Sequence, residues 1–147
     1  MGPVLVVLPF LLLAAATPLT SCSAITHEDV ERAVGRVVAR GFEENVKGQS
    51  TCDFVGKTGI VSVAIHDIDG PVSLQAQQRD IREAIPGAKI RPAAQGFFVN
   101  IPDAGTQLHV LASAHKYVIV SVLGFGPGSD AAAESIARTV TTSLYKK

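Results

Sequence analysis

Apolar residues form three kinds of pattern along this chain: a continuous run, helical spacing and a spacing of two residues. The continuous run comes first. The residues from Val4 to Ala16 are apolar, interrupted only by Pro9, and none of the first 27 residues carries a charged side chain. A run of about 13 residues is too short for a transmembrane helix, which needs about 20. It fits the hydrophobic region of a secretory signal peptide. We therefore expect export, with residues 1–16 as the signal peptide and residues 17–147 as a single exported domain.

Helical spacing begins shortly after this run. Thr26 is a suitable N-cap residue, and Asp29 three positions later completes a capping-box pattern. From Val30 onward apolar residues recur at the spacing of one helix face. The pattern predicts a helix that begins after Thr26 and ends at Gly35 or Gly41, and it does not decide between the two.

Two further segments carry an apolar stripe of helical period. One runs from Ser73 to Ala84 and is ended by Pro86-Gly87, and the other runs from Asp130 to Tyr145. Because an amphipathic helix buries its apolar stripe, we expect these helices to pack against a sheet. The residues that we expect to face the sheet are Val30, Val34, Ile136, Val140 and Leu144.

A spacing of two residues, bounded by turn residues, predicts five strands. They are Thr51–Val55, Ile60–His66, Gln95–Asn100, Gln107–Ala112 and Lys116–Leu123. Short turns between consecutive strands favour antiparallel pairing. The predicted fold class is therefore α+β: a mainly antiparallel sheet of about five strands with three helices packed on it, in the order α-β-β-α-β-β-β-α.

The charge balance narrows the choice of partner. Thirteen basic and thirteen acidic residues cancel, whereas a nucleic-acid-binding protein or a polybasic membrane-surface protein would show a basic surplus. The chain has no Trp and few other aromatic residues, which argues against an aromatic stacking platform. We therefore expect a protein or small-molecule partner and no nucleic acid.

Cys22 and Cys52 are the only cysteines, and they allow two incompatible interpretations. Residues 19–22 (Leu-Thr-Ser-Cys) match the bacterial lipobox; residues 1–21 would then be the signal, and a lipid on Cys22 would be the one contact with a membrane. Alternatively, the signal ends after Ala16 and the two cysteines form a disulfide outside the cytosol. The even number of cysteines favours the disulfide, and the tetrapeptide favours the lipid.

The chain also resembles a known family. Cys22 precedes the Ile25-Thr26 helix start, a Gly follows at position 35, and Cys52 is followed by Asp and Phe54. This arrangement is similar to that of small actinobacterial cell-envelope lipoproteins grouped as a domain of unknown function, and the similarity extends to Leu144. The resemblance implies an extracytoplasmic protein, secreted or lipid-anchored to the outer face of the cytoplasmic membrane. It supports the disulfide and implies no catalytic residues.

The histidines lack the spacing of a metal site. His109 and His115 are expected on neighbouring strands, but a turn centred on Ser113-Ala114 pairs His109 with Val118 and Ala112 with His115. That pairing places the two imidazoles on opposite faces of the sheet. No Cys/His cluster has the spacing of a zinc site. We therefore expect no metal and no other cofactor.

Two turn segments carry residues that could bind ions. Residues 66–70 (His-Asp-Ile-Asp-Gly) resemble the start of a calcium loop, but no distal Glu follows at the required spacing. Residues 124–130 are rich in Gly and precede a helix, but they lack the Lys-Ser/Thr of a P-loop, and Asp130 would repel a phosphate. We interpret the first segment as a turn and the second as a strand-to-helix connection, with Ser129 or Asp130 as the N-cap.

The sequence identifies no reaction, since no serine lies in a Gly-x-Ser-x-Gly nucleophile elbow. We expect a non-enzymatic domain of the bacterial cell envelope that binds a partner or small ligand on a sheet face or at a sheet–helix cleft. One alternative is a small hydrolase assembled from distant residues, indicated by a pocket in which at least two of His66, Asp67, Asp69, His109 and His115 lie within hydrogen-bond reach. Another is a structural component of an envelope or secretion assembly, indicated by a large exposed apolar patch.

Overall fold

One antiparallel sheet contains every strand of the residues that the computed structural model describes, 20–145. The strands are β1 (Phe42–Val46), β2 (Gln49–Val55), β3 (Ile60–Asp67), β4 (Lys89–Ala93), β5 (Gly96–Ile101), β6 (Gly105–Ser113) and β7 (Lys116–Leu123). Their order across the sheet is β1-β2-β3-β7-β6-β5-β4, so β1 and β4 are the edges. The same residues form four helices: α1 (Ser21–Ala24), α2 (His27–Val34), α3 (Leu74–Ala84) and α4 (Ser129–Tyr145). The expected signal peptide, residues 1–16, lies outside the described residues.

One face of the sheet carries the main core. Val61, Val63 and Ile65 alternate along β3 and are buried on the face that α1, α2 and α4 cover. α4 packs on β6 and β7, and α2 packs on α4. All five residues expected to face the sheet belong to this side: Val30, Ile136 and Val140 are fully buried, and Val34 and Leu144 are partly buried against the core.

The opposite face is covered only in part. His66 of β3 and Tyr117 and Ile119 of β7 lie on this face, where they share a small cleft with Gln77 of α3. α3 has no fully buried residue, so its apolar side is only partly removed from solvent. On the β1 side of this face the sheet lies open, since every residue of β1 is exposed or half-buried.

The α+β class and the antiparallel sheet are confirmed, but the expected count of about five strands and three helices is wrong, because residues 20–145 form seven strands and four helices. The two missed strands are the edges. β1 buries little, so its sequence shows no apolar alternation, and β4 contains Pro92, which cannot donate a ladder hydrogen bond and is tolerated at sheet edges. The missed helix α1 has four residues, too few to show a helical period.

The capping prediction for α2 is confirmed, and the structure decides where the helix ends. The Thr26 hydroxyl accepts a hydrogen bond from the Asp29 amide at 3.1 Å, and the Asp29 carboxylate accepts one from the Thr26 amide at 3.4 Å. Gly35, with φ of +67°, adopts the left-handed conformation, and its amide donates to the Glu31 carbonyl at 2.8 Å. Because Gly adopts this conformation without a Cβ clash, α2 ends at Gly35 and not at Gly41.

A disulfide joins α1 to β2. Cys22 and Cys52 are bonded, with 5.1 Å between their Cα atoms. The backbone at Gly41 passes so close to this bond that only glycine is tolerated there, since a Cβ would clash with the Cys52 sulfur. The lipid of the alternative interpretation would need the same Cys22 sulfur, so a molecule with this disulfide carries no lipid at Cys22.

Candidate functional site

A groove runs along one side of α4, and we call it the α4 groove. It exists because α4 packs on β6 and β7, while the hairpin formed by β4 and β5 lies beside the helix. Leu108 and Val110 of β6 form its floor, Ala137 and Thr141 of α4 form one wall, and the hairpin turn 93–95 forms the other. The groove has a volume of about 480 Å³.

Polar groups surround the apolar floor of the α4 groove. Glu134 and Arg138 lie one helical turn apart on its α4 wall, and both side chains are exposed. At one end, the Tyr145 hydroxyl donates a hydrogen bond to the Ala112 carbonyl. At the mouth, Gln95 of the β4–β5 turn has a φ of +62°, an uncommon conformation for a residue other than Gly. The groove thus combines an apolar interior with a charged rim.

A second opening, of about 780 Å³, lies at the N-terminus of α4. Three of its polar side chains already have partners: Thr106 donates a hydrogen bond to Asp130 at 2.6 Å, and Arg91 of β4 donates to Asp130 at 2.5 Å and to Asn100 at 2.8 Å. Although desolvation opposes the shift, the bonds from Thr106 and Arg91 hold the pKa of Asp130 below its usual value. This network ties β4 to α4, and we assign it a structural role.

The opposite face of the sheet holds a buried polar cluster centred on His109. His109 is 4% exposed. Its Nδ1 lies 2.9 Å from the Tyr117 hydroxyl, and its Nε2 lies 3.1 Å from Oε1 of Gln107. Its ring stacks on Phe97, with 4.7 Å between the ring centroids. Because the Gln107 oxygen can only accept, Nε2 carries the proton and Nδ1 accepts from Tyr117, which is the neutral tautomer.

The environment of this cluster shifts three pKa values. Burial lowers the pKa of His109 to about 4, and the charge of His66 acts in the same direction. Burial also lowers the pKa of His66 and raises the pKa of Tyr117. All three shifts favour the uncharged forms at neutral pH. Since the Nδ1 and Nε2 atoms of His109 both have partners, the cluster has the character of a satisfied core network.

We expect the protein to lose stability as the pH falls from 6.5 toward 4. The pKa of His109 is about 4 in the folded chain, against about 6.5 in an unfolded one. Between these values the unfolded chain binds a proton that the folded chain excludes, so the free energy of unfolding falls as the pH falls, by roughly 3 kcal/mol in total. Urea denaturation at several pH values between 7 and 5 measures this slope.

The matched variants are His109→Gln and His115→Gln, because His115 is exposed and lies in a turn. His109→Gln should flatten the slope, and His115→Gln should leave it as in the unmodified protein. Other titrating groups are common to all three proteins and cancel in the comparison. An NMR titration that placed the pKa of the His109 ring near 6.5 would contradict the prediction.

The structure corrects the expected positions of His109 and His115. His109 pairs with Ile119 instead of Val118, and His115 lies in the turn between Ser113 and Lys116 instead of opposite Ala112. A β-bulge between Leu111 and Ser113 shifts the register by one residue. Within residues 20–145, no three His, Cys, Asp or Glu side chains are grouped in a way that could hold a metal ion.

The two turn segments also differ in detail from expectation. Asp67 belongs to β3, where its carboxylate pairs with Lys116, and only the residues after it form the bend. Ser129 and Asp130 are not N-caps but the first residues of α4. Instead of capping, the Ser129 hydroxyl donates to the Gly126 carbonyl at 2.8 Å, and Asp130 binds Thr106 and Arg91.

Two of the residues expected in a hydrolase pocket do line one cleft, but they do not act on a common point. His66 and Asp67 both line a cleft of about 210 Å³. As neighbours on a strand they point to opposite faces, and Asp67 is paired with Lys116. His109 is bonded to Tyr117 and Gln107 instead.

Sequence reasoning missed the α4 groove and the partners of His109. Gln107 could have been found, since it lies two residues from His109 on the same strand and therefore on the same face. Tyr117 could not, because its position depends on the bulge near Ala112. Nor does any motif mark the α4 groove, because it forms between a helix and a hairpin that are distant in sequence.

Comparison with known proteins identifies no relative of this chain, so a function has to be inferred from the geometry described above. No protein-family model matches the chain, and searches of the curated proteins and of the solved structures find no match. Among the described residues, no helix combines the length and the apolar character needed to cross a bilayer.

Proposed function

We propose that this protein is an exported, non-enzymatic domain of the bacterial cell envelope that binds a small apolar ligand in the α4 groove. The observation that carries the proposal is the groove itself, an apolar channel between α4 and the β4–β5 hairpin. Of the two expected locations, a sheet face and a sheet–helix cleft, we favour the cleft.

The size and lining of the α4 groove support a small-molecule ligand. Sites for small molecules have volumes of roughly 300–1,000 Å³ and are mostly apolar, with a few polar groups that orient the ligand. The α4 groove, at about 480 Å³, falls in this range, and Arg138 and Glu134 supply charged groups at its rim. From Glu134 to Tyr145 the wall spans about 16 Å of helix, so the groove suits an elongated ligand.

The location of the shifted pKa values argues for binding without catalysis. Catalytic acids and bases have perturbed pKa values and lie in the cleft that holds the substrate. Here the two groups with the largest shifts, His109 and Tyr117, belong to the sheet face opposite the α4 groove. His109 and Tyr117 are also bonded to each other.

Three features support the extracytoplasmic location. The apolar run from Val4 to Ala16 has the length of a signal-peptide core. The Cys22–Cys52 disulfide is of a kind that persists outside the reducing cytosol. The resemblance to actinobacterial envelope lipoproteins points to the same compartment, and the proposal retains it.

Binding in the α4 groove can be measured with anilinonaphthalene sulfonate, an apolar fluorescent probe with one negative charge. We expect the probe to bind at micromolar concentration and Thr141→Trp to weaken binding at least about tenfold, because the indole would occupy the groove. Ala131→Trp is the matched control, since Ala131 is exposed on the same helix and does not line the groove. It should leave binding unchanged.

Two measurements keep the result interpretable. Near-ultraviolet circular dichroism and the urea midpoint establish that each variant is folded, because a molten state also binds this probe. Phe42→Ser removes an exposed apolar side chain at the far edge of the sheet and should not affect binding. Equal affinities of Thr141→Trp and the unmodified protein would refute the α4 groove as the site.

A further inference from the structure

Exposed apolar side chains are concentrated at one edge of the sheet. Among the described residues, five large hydrophobic side chains are exposed: Val37, Phe42, Val46, Val55 and Tyr145. Tyr145 belongs to the α4 groove, and the other four lie on β1, at the end of β2 or in the segment before β1. Phe42 is 69% exposed and Val46 is 59% exposed. Exposed apolar side chains gathered in one region mark interaction sites, whereas singly scattered ones need no explanation.

The register of β1 shows how these side chains are arranged. Phe42 lies opposite Asp53, and Val46 lies opposite Gln49. Because side chains alternate along a strand, Phe42, Glu44 and Val46 share the face that α2 and α4 leave open. Glu43 points to the covered face, where its carboxylate accepts a hydrogen bond from the Cys22 amide at 3.0 Å. The open side of β1 therefore presents the series apolar, acidic, apolar.

The backbone of β1 is available along the same edge. β1 is the terminal strand and pairs only with β2. A terminal strand exposes a row of unpaired N–H and C=O groups that can accept another strand. The other edge strand, β4, carries Pro92 together with Lys89 and Arg91, which are residues that block strand addition. β1 lacks proline, so the two edges are not equivalent.

We propose that β1 docks an extended segment of a partner protein by strand addition, and that the segment presents apolar, cationic and apolar side chains on the face of Phe42, Glu44 and Val46. Backbone hydrogen bonds along the edge supply affinity, and alternate side chains supply specificity. A Lys or Arg opposite Glu44 gives an opposite-charge pair, while apolar side chains cover Phe42 and Val46. Lys47 lies in the turn that follows Val46 and would repel a cation placed there. The preference for a cationic side chain therefore applies only at the position opposite Glu44.

Charge also argues against a second copy of this chain as the occupant. An antiparallel β1–β1 pair centred on Glu44 would place Phe42 of each copy opposite Val46 of the other, which is favourable. It would also place the two Glu44 carboxylates directly opposite each other. Like charges directly opposite on neighbouring strands are destabilising, so Glu44 disfavours self-pairing and selects a cationic partner strand.

A charge-reversed form of the protein itself supplies the probe. Glu44→Lys converts the exposed series of β1 to apolar, cationic, apolar, which is the pattern proposed for the partner. We expect the unmodified protein and Glu44→Lys to be monomeric when alone, since each homodimer would oppose like charges. We expect an equimolar mixture to form a mixed dimer at least about tenfold tighter than either homodimer, and we expect salt to weaken it. Sedimentation velocity measures all three species.

Two control variants identify the surface. Glu83→Lys makes the same charge change on α3, where Glu83 is exposed, and its mixture with the unmodified protein should stay monomeric. Phe42→Asp in either partner should abolish the mixed dimer if β1 is the contact. A monomeric mixture of the unmodified protein and Glu44→Lys would overturn the proposal. So would dimerisation of the unmodified protein alone that Phe42→Asp abolishes, because the occupant would then be a second copy.

Discussion

Reducing the Cys22–Cys52 disulfide should lower the free energy of unfolding by about 3–4 kcal/mol. The two cysteines are 30 residues apart in sequence, and on the chain-entropy model a loop of this length restricts the unfolded chain by about that amount. The bond also attaches α1 to β2, and through α1 it orders the entry to α2. Urea denaturation with and without dithiothreitol measures the difference.

The double variant Cys22→Ala/Cys52→Ala is the control for this experiment. It should unfold at a lower urea concentration than the oxidised protein and should not respond to dithiothreitol. Alanine is preferable to serine because Cys52 is fully buried, and a buried hydroxyl without a partner adds a separate cost. If reduction left the midpoint of the unmodified protein unchanged, the disulfide would not constrain the unfolded chain.

The surroundings of Cys22 favour the disulfide over the lipid anchor. A lipoprotein that began at Cys22 would lack Ser21, which is fully buried. The amide and the hydroxyl of Ser21 each lie 2.9 Å from the Ser50 hydroxyl oxygen. Removing Ser21 would therefore break a contact between α1 and β2 that the folded domain uses. A signal ending after Ala16 keeps this contact intact.

The sequence predicted the parts of the fold that bury an apolar face. β3 and β7 are eight-residue strands rich in β-branched apolar residues, which recur at every second position on the covered face, and α4 repeats its apolar stripe over 17 residues. Their burial leaves a clear periodic pattern. β1 and β4 show no such pattern, because most of their side chains lie in solvent. These edge strands are held mainly by backbone hydrogen bonds to β2 and β5.

The candidate sites were less predictable because they depend on register and on lateral placement. The hairpin turn lies one residue later than expected, and a bulge between Leu111 and Ser113 shifts the register by one residue, so His109 pairs with Ile119 and not with Val118. No local sequence feature specifies a bulge there. The α4 groove depends on how far α4 sits from the β4–β5 hairpin. This distance is set by packing among elements that are far apart in sequence, and the spacing of apolar residues within one element carries no information about it.

Ile136→Ala should destabilise the protein by about 2–4 kcal/mol, the usual cost of a large-to-small change in a packed core. Ile136 is 1% exposed and belongs to the stripe of α4 that meets β6, β7 and α2. The loss has two parts: the removed methyl and methylene groups no longer contribute apolar burial, and the remaining space is only partly refilled. The urea midpoint, with an unchanged slope, measures the effect.

Thr142→Ala is the control on the same helix, because Thr142 is exposed and its replacement should change stability by less than about 0.5 kcal/mol. The pair of variants tests the rotation of α4 about its axis, since residues 136 and 142 differ by about 240° around a helix. That rotation also decides which α4 side chains line the groove. If Thr142→Ala were the more damaging change, Thr141 and Arg138 would face the core, and the α4 groove would have no wall on this side.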